Sequence, residues 1–293
     1  MEKVRITLLV ENTAESAGLM AEHGLAYWIE DGSQRILLDA GQGGVLVANA
    51  YRLGVELTKL DAVVLSHGHY DHTGGLNHAL RGNQPAAIYL HPDALKPKFA
   101  RNKDGTGRSI GIPDVSELAV RRHRDRMVFT EKPTSLGGGF MVTGPVPRLT
   151  DFEDTGGPFF LDPRCGTPDP INDDQAVFFD SSQGTVVLLG CAHSGVINTL
   201  RYVRQLTGNR PIHAVLGGMH LAAASDERLN RTIDELRSLD IACLAPAHCT
   251  GRAATAAMWQ ALPDRCLPFH VGTRVEFERN RTSGPVASPR HKG

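Results

Sequence analysis

Between residues 65 and 76 the chain reads LSHGHYDHTGGL, which sets His67, His69, Asp71 and His72 within six positions. Imidazole and carboxylate at this density suit Zn, Mn or Fe. In an extended loop His67 and His69 point to the same side, and the Asp71–His72 pair follows one step on. The four can therefore serve two neighbouring ions, which in two-metal enzymes sit about 3.5–4 Å apart. The loop follows the apolar run AVVLS, and the turn-forming Gly74–Gly75 closes it. In α/β proteins the carboxyl ends of strands are where sites gather. Three further histidines, His193 in GCAHSG, His220 in GGMH and His248 in PAHCTG, also end apolar runs.

Those strand ends need elements behind them. Short apolar runs alternate with glycine-marked turns: 4–12, 25–32 and 35–41 read as strands, 43–55 has helical spacing, and a buried-type strand leads into the histidine loop. The second half repeats the style. A hairpin over 175–195 runs into a polar loop, an amphipathic helix follows, and 225–239 reads as a helix capped by Ser225. Strands alternating with helices at this spacing predict an α/β (α+β) class. One domain over 1–280 is expected, with an apolar-poor, disordered tail at 281–293.

Residues 96–135 stand apart, with ten Lys or Arg against five Asp or Glu. They read as an inserted basic loop region, either a solvated surface run or a lid that steers an anionic substrate. Arg121, Arg122 and Arg124 are its candidate substrate contacts.

The bulk numbers narrow the function. A formal net charge of −1 gives no global attraction to nucleic acid or to an anionic membrane, so neither is expected as a partner. No apolar stretch is long enough to span a bilayer, and the opening residues carry no secretory h-region. Five cysteines without a CxxC pair argue against a disulfide framework, and a cytoplasmic location is the simplest expectation. Oligomeric state is not legible.

LSHGHYDHTGGL resembles the HxHxDH signature of the metallo-β-lactamase superfamily, and RILLDAG resembles its early strand-end aspartate, here Asp39. AEHGLAYWIE, VTGPVPRLTDFE, DDQAVFF, LLGCAHSGVINTL, VLGGMHL and LAPAHCTG extend the likeness to the branch of dihydropterin-ribofuranosyl-aminobenzene-phosphate synthase-like metal-dependent hydrolases. The resemblance implies a four-layer αββα sandwich with a dinuclear site between its sheets, zinc being the first choice and Mn or Fe also suited. It implies His67, His69 and His193 around one metal, and Asp71, His72 and His248 around the other. Asp39 would orient ligand histidines or cap its turn. Where the superfamily places a bridging aspartate after glycine, this chain has Gly190–Cys191, so Cys191 is either a sulfur ligand or a small buried residue. His220 is either a ligand or a proton donor or substrate contact; His23 is either a pocket residue or an ordinary turn residue.

Two cations sharing a water would lower its pKa from 15.7 toward about 7 and give a bridging hydroxide. Asp71 can hold that nucleophile, and His220 or His23 can protonate the leaving group. The expected activity is a metal-dependent hydrolase acting on a small anionic, phosphorylated molecule. A pterin–aminobenzene ribose phosphate synthase or transferase and a non-catalytic metal-containing ligand sensor are the alternatives.

Overall fold

The computed structural model describes residues 2–81 and 86–279. The tail expected at 281–293 lies outside them.

The first half runs β1 (Glu2–Val10), β2 (Ala26–Glu30), β3 (Arg35–Leu38), α1 (Leu46–Arg52), β4 (Ala62–Val64), α2 (Tyr70–Thr73), α3 (Leu76–Ala79) and β5 (Ala87–Leu90). The basic segment supplies β6 (Phe99–Arg101), β7 (Gly107–Ser109), α4 (Asp114–Arg122), β8 (Met127–Phe129) and the start of β9 (Thr134–Gly137). There follow β10 (Phe140–Val142), β11 (Phe159–Phe160), β12 (Ala176–Ser181), β13 (Gly184–Leu189), α5 (Val196–Leu206) and β14 (Ile212–Gly218). The chain then forms α6 (Asp226–Ser238), β15 (Cys243–Ala247), α7 (Arg252–Ala261) and β16 (Arg274–Arg279).

Two mixed sheets result. One has the order β16-β1-β2-β3-β4-β5-β8 and the other β15-β14-β13-β12-β10-β9. Side chains alternate across each strand, so each sheet has two apolar faces to bury. Ile6, Leu8, Tyr27, Ile36 and Val64 meet Val177, Phe179, Val186, Leu188 and Leu216 between the sheets. Their strand neighbours Leu37, Val63 and Ile88 face outward onto Leu46 of α1, Leu76 of α3 and Val120 of α4. On the opposite side Val187, Leu189 and Val215 pack under Ile197 and Leu200 of α5, Leu236 of α6 and Met258 of α7. The layering is helix–sheet–sheet–helix, as the resemblance implied.

Segment 96–135 is more deeply built in than its charge indicates. β8 pairs with β5 and extends the first sheet, α4 packs on α3, and β6 and β7 join β11 in a separate three-stranded sheet. Lys98, read as one of a solvated cluster, is 1% exposed and ion-paired to Asp169 and Asp173 at 3.0 and 2.7 Å. A buried ammonium is stable only with such partners.

Parallel pairing places the site. β3, β4 and β5 run parallel in the first sheet, as do β13, β14 and β15 in the second. Their carboxyl ends carry Asp39, the 65–73 loop, Cys191, His220 and His248.

Candidate metal centre

The opening loop is held from both sides. Asp39 accepts the Ser66 amide and hydroxyl, each at 2.7 Å, and its Oδ2 lies 2.7 Å from His72 Nδ1. Ser66 Oγ in turn sits 2.9 Å from His67 Nδ1. His72 and His67 are thereby oriented with their Nε2 atoms toward the centre, as partners of ligand imidazoles commonly arrange. Asp173 accepts the Gly68 amide at 2.7 Å while paired with Lys98, so the basic segment reaches this loop through a buried ion pair. Sequence reasoning missed that link, because a lysine in a charged run gives no sign of burial.

The second-half histidines come to the same place. The donor atoms of His67, His69 and His193 all lie within 4.8 Å of one another, and so do those of His23, Asp71 and His248. His193 Nδ1 donates to Thr155 O at 2.8 Å, which leaves Nε2 free. His69 Nε2 and His193 Nε2 are buried without a hydrogen-bond partner. Buried imidazole nitrogens rarely stay unpaired, and the free His193 Nε2 in one group with His67 Nε2 and His69 Nδ1, themselves 3.0 Å apart, fits a cation. The expected first set, His67, His69 and His193, is brought together.

Around the second group, Asp71 Oδ2 lies 3.1 Å from His23 Nε2, 3.3 Å from His248 Nε2 and 3.8 Å from His72 Nε2. The expected set of Asp71, His72 and His248 therefore also converges. His23 is no idle turn residue, since its half-exposed ring forms the outer edge of this group. The neighbouring Glu22 carboxylate accepts the amides of Gln42, Gly43 and Gly44. Asn12 Oδ1 meets His248 Nδ1 at 2.9 Å, and Glu11 accepts the His248 amide at 2.8 Å. Nothing in the local sequence marks Glu11 or Asn12, which act from the loop just after β1.

His220 lies tilted against His193, 4.2 Å between ring centroids, and its Nδ1 is unpartnered. Gly156 makes room for it, since a Cβ there would lie 1.8 Å from His220 Cδ2. Asp174 accepts the Ser194 amide at 2.8 Å and pins the GCAHSG loop. Asp39, Ala192, His220 and His248 all adopt positive φ. Such backbone persists only where surrounding contacts enforce it, and here it gathers at one edge.

Charge states follow from burial and neighbours. Burial pushes His67, His69 and His193 well below the ordinary imidazole range, so all three are neutral at pH 7. Burial acts the same way on His72, but Asp39 and Asp71 outweigh it and hold that imidazole up, at about 9. Burial opposes ionisation of Asp71, yet His72, His23 and His248 keep the carboxylate well below its usual range.

A cavity of about 380 Å³ opens onto the centre, lined by His23, Tyr70, Asp71, Phe159, His193, His220 and His248. Its one arginine among the lining residues is Arg108, on β7. Arg121, Arg122 and Arg124 do not line it. They are exposed on and just after α4, and Arg121 is paired with Glu117.

Fold and site together define an α/β sandwich with a histidine-rich candidate metal centre at the converging strand ends. Residues 20–248 match the Metallo-beta-lactamase superfamily, and the chain belongs to it. It is 35% identical over 268 residues to an uncharacterized protein of Methanocaldococcus jannaschii, covering 91% of this chain and 98% of that one. Identity to that organism's 7,8-dihydropterin-6-methyl-4-(beta-D-ribofuranosyl)-aminobenzene-5'-phosphate synthase is 27% over 292 residues, with coverages of 94% and 98%. Among solved structures, Tm1679, a metal-dependent hydrolase of the beta-lactamase superfamily, superposes with a TM-score of 0.79 at 27% identity and covers 94% of this chain and 99% of that one. No helix among the described residues is long and apolar enough to cross a membrane.

Proposed function

We propose that this chain is a metal-dependent hydrolase that acts on a small anionic substrate, phosphorylated in the simplest case. His67, His69 and His193 would hold one divalent cation, and Asp71, His72 and His248 a second, with zinc the best match to the imidazole-rich donors. The observation that carries the reading is the buried, unpartnered Nε2 of His193, which shares one donor set from the opposite sheet with His67 and His69, whose Nε2 and Nδ1 lie 3.0 Å apart. Bound there, the cations would supply Lewis acidity and a water acidic enough to ionise near neutral pH.

The chain's own residues supply the rest. Asp39 and Ser66 orient His72 and His67, and Asn12 orients His248. Arg108 offers the cavity a guanidinium that suits phosphate or carboxylate. His220 and His23 border the cavity and are placed to return a proton to a leaving oxygen. His220 is the stronger candidate, because its Nδ1 has no competing partner.

Metal analysis with a screen of phosphomonoesters, phosphodiesters and lactones tests this. Two ions per chain and turnover abolished by a chelator are expected; full activity in metal-free protein would end the reading. The near-full-length relative named as a synthase supports a second reading, in which the same centre joins a pterin to an aminobenzene ribose phosphate. A dedicated synthase would be nearly inert toward every generic ester in that screen.

A further inference from the structure

Cys191 lies where the two ligand groups meet. Its side chain is 3% exposed, and its Sγ is 3.1 Å from His72 Nε2. It shares a candidate donor set with His67 and His72, another with His193 and His220, and a third with His248 and Cys249. No other side chain belongs to three of the sets found among the described residues. The fold makes this position tight. A Cβ on Gly190 would fall 2.0 Å from Ser66 Oγ, and one on Gly218 would fall 2.3 Å from Gly190 O. Two glycines thus let the ends of β13 and β14 close in on the opening loop, and Cys191 is the first side chain past that contact. The buried, unpartnered Nε2 of His193 belongs to one of the same sets, which points to a ligand rather than to packing.

We infer that Cys191 is a sulfur ligand of the metal centre, shared between its two halves, and that the centre therefore favours thiophilic ions such as zinc, cobalt or ferrous iron over manganese or magnesium. The inference rests on the metal-centre reading above. Binding exchanges the S–H bond for an S–metal bond and releases one proton to solvent, with no change of oxidation state. Cys249 shares only the set with Cys191 and His248, and its Sγ lies 3.7 Å from Cys191 O, so single variants of each cysteine separate the two sulfurs.

Cobalt(II) loading of the full chain tests this by absorption, independently of turnover. Wild type should bind two cobalt ions per chain and show a thiolate-to-cobalt charge-transfer band in the near ultraviolet. Cys191→Ser and Cys191→Asp should lose the band, and Cys249→Ser should keep it. Cys191→Asp should still bind two ions while its zinc-over-manganese preference falls at least ~10-fold, since a carboxylate replaces a soft donor. Two bound cobalt ions without a band in wild type would overturn the inference and leave the metal centre standing. A band that survives Cys191→Asp and vanishes in Cys249→Ser would overturn it as well. Failure to bind cobalt or zinc at all would remove the metal centre itself, and the inference with it.

Discussion

The loop at 65–73 and the strand ends at 190–194, 218–220 and 246–249 build one centre by different means. The first brings His67, His69, Asp71 and His72 from a single turn of chain and locks them with Asp39, Ser66 and Asp173. The second draws its side chains from the ends of three parallel strands, so its geometry depends on the register of β13, β14 and β15. A contiguous loop keeps its donors together whatever the rest of the fold does. A set gathered from strand ends exists only when the sheet is complete.

The largest expected effect tests whether the two contributions are equal. His67→Ala and His193→Ala remove one ligand each from the same group, one local and one assembled. Each should lower the affinity for one cation by more than ~100-fold, beyond the 10–100-fold usual for residues that only orient a ligand. Loss of metal from one variant alone, read by metal analysis after dialysis, would break the equivalence.

The two regions also differ in what could be read from sequence. HxHxDH is legible because four candidate ligands sit within six residues, and the helix from 225 is legible through Ser225, whose hydroxyl accepts the Arg228 amide at 3.2 Å. His193 and His248 stand out by their position after apolar runs, and the fold brings both beside the opening loop. Cys191 and His220 were left open, because their roles depend on how closely β13 and β14 approach the opposite sheet. Asn12, Thr155 and Lys98 were illegible for the same reason: each acts through a contact made by distant chain. Arg108 was hidden among exposed arginines, since charge composition does not tell which member of a cluster faces a cavity.

The neighbouring acids Asp173 and Asp174 give a second comparison, as each pins one loop. Asp173→Asn weakens a buried ion pair and should destabilise the protein by about 3 kcal/mol. Asp174 has no buried cation partner, and burial pushes its carboxyl up to about 6, so it is ionised at neutral pH against an unfavourable environment. Asp174→Asn should cost only about 1 kcal/mol. Urea midpoints of the metal-free proteins measure both, and equal losses would remove the distinction.

Proton linkage separates the ligands further. His67, His69 and His193 are already neutral, whereas metal-free His72 keeps its proton up to about 9. A cation held by His72 must displace that proton, so its affinity should rise ~10-fold per pH unit from about 6.5 to 9. The cation on the neutral imidazoles has only the Cys191 proton to displace, so its slope over that range should fall almost to zero in Cys191→Asp. Stability of the metal-free protein should run the other way. The contribution of His72 paired with Asp39 and Asp71 is complete below about 6.5, and it is lost as pH climbs through 9. Calorimetric titration of zinc in two buffers of different ionisation heat resolves the released proton.

The smallest effect concerns the two sets of arginines in the basic segment. Arg108→Ala removes the one guanidinium among the described residues that line the cavity and should raise KM for a phosphorylated substrate roughly 10-fold, about 1.4 kcal/mol, with kcat nearly unchanged. Neutralising Arg121, Arg122 and Arg124 together removes exposed charge outside the cavity. It can act only through the long-range field, which 0.15 M salt screens within about 8 Å. Their loss should therefore raise KM less than about threefold, and only at low ionic strength. If the triple variant had the larger effect at physiological salt, substrate would have to meet α4 before it reaches the centre, and Arg108 would be a bystander at the cavity wall.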